Sequence, residues 1–149
     1  MDVVATLWPV DEHGNVVPYG AKGEPEALAK GMLRASHRKL SPAKSPPFRP
    51  YHTHTQEDHA PLEPDKVVQV QIEMFPSDGR VCEGWHLRLD VTPSESQPDI
   101  AGYEAPKFRI FYGEEHEEVT NTVHVGGGLD NFILCPVVPV KDGPRNVQY

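Results

Sequence analysis

Gly84-Trp85-His86-Leu87-Arg88-Leu89-Asp90-Val91 sets Trp85, Leu87, Leu89 and Val91 on one side of an extended chain and His86, Arg88 and Asp90 on the other. A period of two is the mark of a strand with one face toward a core and one toward water. Upstream, Val68-Gln69-Val70-Gln71-Ile72-Glu73-Met74 repeats the pattern, and Pro76-Ser77-Asp78-Gly79 supplies turn chemistry between the two runs. Together they predict an antiparallel pair.

Working outward, the same logic extends to both ends. Val3 to Val10 is a β-like run, Asp11-Glu12-His13-Gly14-Asn15 a turn, and Val16-Val17 the start of a return strand. Pro25 followed by Glu26-Ala27-Leu28-Ala29-Lys30 predicts one helical turn ended by Gly31. Met32 to Leu40 alternates Leu33, Ala35 and His37 against Arg34, Ser36 and Arg38, which predicts a strand. From 41 to 64 the chain carries Pro42, Pro46, Pro47, Pro50, Pro61 and Pro64, so it is expected to cross the surface in extended form without a ladder. Toward the C-terminus, Lys107 to Tyr112, Val119 to Val125 and Asn131 to Val140 are further β-like runs, the last two flanking Gly126-Gly127-Gly128 as a hairpin, with 141–149 as a tail. Roughly seven strands and almost no helix point to an all-β, two-sheet sandwich in a single domain spanning 1–149.

The bulk composition agrees. The chain has 149 residues, enough for one domain with a real core, and its 16 Pro and 12 Gly interrupt long helices. A formal charge of −8 repels phosphate backbones and anionic lipid, so neither nucleic acid nor a membrane surface is an expected partner. Met1-Asp2-Val3-Val4-Ala5 carries no basic segment leading into an apolar run with a cleavage site, so a cytoplasmic protein is expected. Cys82 and Cys135 lack metal-type spacing and read as buried, reduced core residues.

Three stretches carry a resemblance. Gly31-Met32-Leu33-Arg34-Ala35-Ser36-His37-Arg38, Pro64-Asp65-Lys66-Val67-Val68 and Gly84 to Val91 together resemble the C-terminal domain of the X-Pro dipeptidyl-peptidase and cocaine esterase (CocE/NonD) hydrolases. Asp11-Glu12-His13-Gly14, Asn121-Thr122-Val123-His124 and Pro136-Val137-Val138-Pro139 are similar to its first turn and closing hairpin. The resemblance implies a jelly-roll β-sandwich like galactose-binding domains, packed on an α/β-hydrolase catalytic domain and shaping the entrance to its active site. Where that family usually has Gly-His-Arg-Leu-Arg-Leu, this chain reads Gly84-Trp85-His86-Leu87-Arg88-Leu89, so a role of that Arg does not pass to His86. The family domain also has about two strands before the segment that starts here at Met1, which predicts an unpaired edge at Val3 to Trp8. A catalytic domain, or a second copy in a homo-oligomer, is the expected cover for that N-terminal edge.

The search for chemistry begins with the nucleophile. A Gly-x-Ser-x-Gly elbow is absent from the sequence. Ser36 and His37 are the nearest hydroxyl and imidazole, but strand neighbours point to opposite faces and cannot share a proton. His52-Thr53-His54-Thr55-Gln56-Glu57-Asp58-His59 places two imidazoles at i, i+2, a divalent-metal pattern when a third ligand is fixed, and otherwise a polar surface loop. Gly126-Gly127-Gly128 leads into a strand rather than a helix, so it reads as a turn and not as a phosphate cradle. Trp8 is the aromatic expected to be exposed for ligand contact, while Trp85 is expected in the core. The reading that results is a non-catalytic accessory module without cofactor or metal. The alternatives are a free-standing small-molecule or glycan binder, or a sandwich with its own acid-base chemistry at His52, His54, His86 or His124.

Overall fold

The structure, a computed structural model, describes residues 1–20, 22–93 and 120–138. It divides into two compact units, residues 1–113 and 114–149. The first unit is built on a three-stranded antiparallel sheet of β1 (Asp2–Val10), β2 (Ala29–Arg34) and β3 (His86–Thr92), in the order β2-β1-β3. A short 3-10 turn (Ala35–His37) follows β2 directly.

The central strand explains the core. Val3-Val4-Ala5-Thr6-Leu7-Trp8-Pro9-Val10 is nearly continuous in apolar residues, the composition of a strand covered on both faces, and every residue of β1 is buried. Its register sets Val3 opposite Leu33, Ala5 opposite Gly31, and Leu7 opposite both Ala29 and Leu89. One face is therefore aliphatic. The other carries Asp2, Thr6 and Trp8, and there Asp2 accepts two bonds from the Arg34 guanidinium, at 2.8 and 3.1 Å. Bonds beyond the ladder close both ends of the β1/β2 pair: Leu28 N–H to Leu7 O at 2.8 Å and Ala35 N–H to Met1 O at 3.0 Å. The expected open edge at Val3 to Trp8 is thus overturned, because β1 is hydrogen-bonded on both sides within its own chain. Assembly through that edge has no free backbone to use.

Thr6 is a cost within this core. It has 0% exposure, and its Oγ1 has no hydrogen-bond partner among the described residues. A buried hydroxyl left unpaired forfeits its hydration without compensation. Thr6→Val is expected to raise unfolding free energy by about 1 kcal/mol, read as a higher urea midpoint at unchanged slope.

The first turn forms as its residues require. Asp11 Oδ1 accepts the His13 and Asn15 N–H groups at 2.9 and 2.8 Å, and Gly14 takes the left-handed φ of 85°. The return is brief: Val10 bridges Val16, and Val17 N–H donates to Pro9 O at 2.9 Å.

Several local expectations fail for tertiary reasons. Residues 25–30 form no helical turn; Pro25 bridges Pro18, and Ala29 already belongs to β2. Burying Leu28 beside Leu7 and extending β1's ladder outweighs a single turn of helix. The strand expected over 32–40 stops at Arg34 and tightens into the 3-10 turn, although Leu33 and Ala35 are buried as its alternation requires. Val68 to Ile72 keeps its alternation of half-buried and exposed residues, Glu73 and Met74 are both half-buried, and the run makes a bridge only at Met74, to Gly31. Its neighbour is β2, where Phe75 N–H donates to Lys30 O at 2.8 Å, and not the 84–91 run, which pairs with β1 as β3.

The apolar side of β3 is also more open than its pattern predicts. Leu87, Leu89 and Val91 are exposed, because β3 lies outermost among the described strands while β1 takes the covered position. Trp85 is half-buried, its ring 6.3 Å from that of Tyr19. Both cysteines are free, Cys82 half-buried and Cys135 exposed, so neither fills a core.

In the second unit, residues 120–138 carry the expected turn, with Leu129 N–H to Gly126 O at 3.0 Å and all three glycines at positive φ. No strand ladder flanks that turn among the described residues. The run at 107–112, the start of the run at 119 and the tail at 141–149 lie outside the described residues.

Candidate functional site

Four of the chain's imidazoles meet where β2 ends. Past Arg34 the backbone tightens into the 3-10 turn and delivers His37 to a half-buried position. The Pro-rich crossing then returns antiparallel to this segment. Ser41 N–H donates to Tyr51 O at 2.9 Å, Thr53 N–H to Lys39 O at 3.0 Å and Ala60 N–H to Ser36 O at 2.9 Å, while Leu40 and His52 form a bridge. Arg38 adds a clamp from its guanidinium to the carbonyls of Ala35 and Ala60. Prolines prevent a long ladder, so side-chain and single backbone bonds hold the crossing in place.

These bonds gather four imidazoles. His54 Nδ1 lies 3.3 Å from His37 Nδ1, with ring centroids 5.3 Å apart. The His59 ring is 5.3 Å from His37, and the His52 ring is 5.7 Å from His54. His54 reaches its place through a left-handed backbone, φ 51°, a conformation that costs a non-glycine residue about 1 kcal/mol or more. The Nε2 of His52 is buried without a hydrogen-bond partner among the described residues.

The electrostatics disfavour charge. Burial first, and then the neighbouring His54, hold the His52 imidazole below its ordinary range, against the pull of the Gln71 backbone and the Glu73 carboxylate. His37 is also lowered, by desolvation first and then by His54, His59 and Arg34, with Asp2 opposing. The nearby carboxylates are engaged elsewhere: Asp2 with Arg34, Glu73 with Arg49 at 2.6 Å, and Asp58 with the Thr55 hydroxyl at 3.0 Å.

Of the residues singled out from sequence, the structure brings together only His52 and His54. His37 completes the cluster, and sequence reasoning weighed it only as a partner for Ser36. Its signal was the antiparallel return of the crossing, which spacing along the chain does not reveal. Ser36 and His37 sit on a 3-10 turn, not a strand. His86 opens β3 opposite Val10 and is exposed. His124 is exposed in the second unit. The exposure expected of Trp8 is absent: it is 3% exposed, at the centre of the sheet, and cannot offer a ring to a ligand on the surface. Among the described residues, no group of three or more His, Cys, Asp or Glu side chains is arranged to hold a metal ion. The same residues include no helix long and apolar enough to cross a membrane.

Comparison with known proteins gives a consistent result. The family described as the X-Pro dipeptidyl-peptidase C-terminal non-catalytic domain matches residues 1–133. Two proteins named as serine esterases, from Mycobacterium bovis and Mycobacterium tuberculosis, are each 30% identical over 95 residues, covering 62% of this chain and 14% of theirs. The crystal structure of a CocE/NonD family hydrolase from Staphylococcus aureus superposes with a TM-score of 0.55 at 36% identity, over 65% of this chain and 18% of that one. The chain therefore spans about a seventh of the length of the curated relatives it matches.

Proposed function

The chain belongs to the family of X-Pro dipeptidyl-peptidase C-terminal non-catalytic domains, and from that premise we propose that it is an accessory β-sandwich of the jelly-roll kind that packs on the catalytic domain of a cytoplasmic serine hydrolase. The observation that carries this reading is the size of the match. The hydrolases it resembles are several times longer, and the similar segment is 14% to 18% of each. A piece of that proportion contributes surface and rigidity, while the reacting groups lie in the rest of the enzyme.

Acyl transfer by a serine needs a nucleophile on a strained elbow, a base within hydrogen-bond reach and an oxyanion hole. The sequence has no Gly-x-Ser-x-Gly, and no hydrogen bond joins a serine hydroxyl to an imidazole among the described residues. The exposed apolar row Leu87, Leu89 and Val91 is surface of the kind that a neighbouring domain covers.

The purified 149-residue chain is expected to hydrolyse neither p-nitrophenyl acetate nor an X-Pro p-nitroanilide above the buffer rate, and to take up no fluorophosphonate label. Turnover that a serine-directed reagent abolishes would overturn the reading.

A further inference from the structure

The imidazole cluster at the end of β2 has a property that neither the fold nor the family membership explains. His37 and His54 face each other through like atoms, Nδ1 to Nδ1, at 3.3 Å. That contact is a hydrogen bond only when one ring carries hydrogen on Nδ1 and the other presents a lone pair. If both rings are protonated, two N–H donors and two positive charges oppose each other at the same distance, and the bond becomes a repulsion. We propose that this contact is a proton-operated latch, which holds the Pro-rich crossing (41–64) against the end of β2 while at least one of the two imidazoles is neutral and releases it when both are charged.

The surroundings sharpen the response. On the side of β2 and the 3-10 turn, His37 meets Arg34 and Asp2. From the crossing it meets His54 and His59, and His54 in turn meets His52. The 71–73 segment brings Glu73 toward His52, and Lys39 stands near Asp58. Of the carboxylates close to the cluster, Asp2 is bonded to Arg34, Glu73 to Arg49 and Asp58 to the Thr55 hydroxyl, so added protons find little compensating charge. Each of the four imidazoles can take up a proton in the range where the contact changes sign.

The segment that would move is held by few bonds. Apart from the latch, residues 51–60 are tied to 36–41 by the backbone bonds of Ser41, Thr53 and Ala60 and by the Arg38 guanidinium on the Ala60 carbonyl, and His54 stores left-handed backbone strain that release would relieve. The sign of the effect follows from linkage. A docked state that disfavours charged imidazole binds fewer protons than the released state, so docking is complete above the ordinary imidazole range and is lost as pH falls through it.

Hydrogen exchange on the full chain tests the latch, with EDTA present. Protection of the Thr53 and Ala60 amides, each corrected for intrinsic exchange, is expected to fall about tenfold between about pH 7.5 and about pH 5, the interval in which imidazoles take up their protons. Protection of Thr6 and Leu7 in β1 stays constant over that interval. The doubly substituted His37→Gln, His54→Gln chain loses the difference, and His59→Gln, which removes one like charge from an exposed position, diminishes it. Equal protection of Thr53 and Ala60 at both pH values overturns the proposal. So does a parallel fall at Thr6 and Leu7, or a fall of undiminished size in both variant chains.

Discussion

Trp8→Ala is expected to lower the unfolding free energy by about 3–5 kcal/mol, the range for truncating a buried indole. Trp8 stands at the centre of the three-stranded sheet, opposite Arg88 of β3, and is 3% exposed. Its removal opens a void that a strand held on both sides cannot close, because the ladders to β2 and β3 fix the position of its backbone. Domains of this kind have a total stability of about 5–15 kcal/mol, so the substitution consumes a large share of it. The indole N–H has no hydrogen-bond partner among the described residues. Trp8→Phe keeps a ring while deleting that orphaned donor, and is expected to cost much less than the alanine variant. Urea unfolding followed by circular dichroism measures both, since the alanine change removes one of the two tryptophan reporters. An alanine variant within about 1 kcal/mol of the parent would mean that Trp8 is not packed as described.

Gly31→Ala is expected to cost about 3 kcal/mol, overpacking combined with lost backbone bonds. The reason is a close approach rather than a special dihedral. A Cβ at this position would overlap the Glu73 carbonyl oxygen and sit 2.9 Å from Ile72 Cγ2, and the first is backbone that a rotamer change cannot move aside. To admit the methyl group, residues 71–75 must move away from β2. That breaks the Gly31–Met74 bridge and the bond from Phe75 N–H to Lys30 O. The loss reaches the imidazole cluster, because the Glu73 carboxylate that faces His52 and pairs with Arg49 moves with the segment. Amide exchange at Phe75 is therefore expected to accelerate in the variant even where β1 remains protected. Unchanged exchange at Phe75 would show that the segment is not held at β2 through this glycine.

The two substitutions bracket what could be read from the chain in advance. The burial of β1 follows from its almost unbroken apolar composition, and the first turn follows from Asp11, Gly14 and Asn15, whose side chains and backbone preferences act over a few residues. Gly31 shows the opposite case. As punctuation after a short run of helix formers it predicted a helix end, but it sits mid-strand because a distant backbone segment crosses close to it. The candidate site divides in the same way. His52 and His54 are visible as an i, i+2 pair, whereas His37 joins them only because the crossing folds back on the 3-10 turn.

The sequence by itself determined the β-rich character of the chain, the family it belongs to, the first turn, and the absence of a Gly-x-Ser-x-Gly elbow, all properties of residue type and short-range order. Only the tertiary structure decided that β1 lies in the middle of its sheet rather than at an open edge. It also decided that Val68 to Met74 borders β2 while β3 pairs with β1, and that four imidazoles meet at one end of β2. The physical reason is common to all three. Alternation tells a strand which face to bury, but its partner is chosen by which long-range pairing buries the most apolar surface, and that sum is taken over the folded chain.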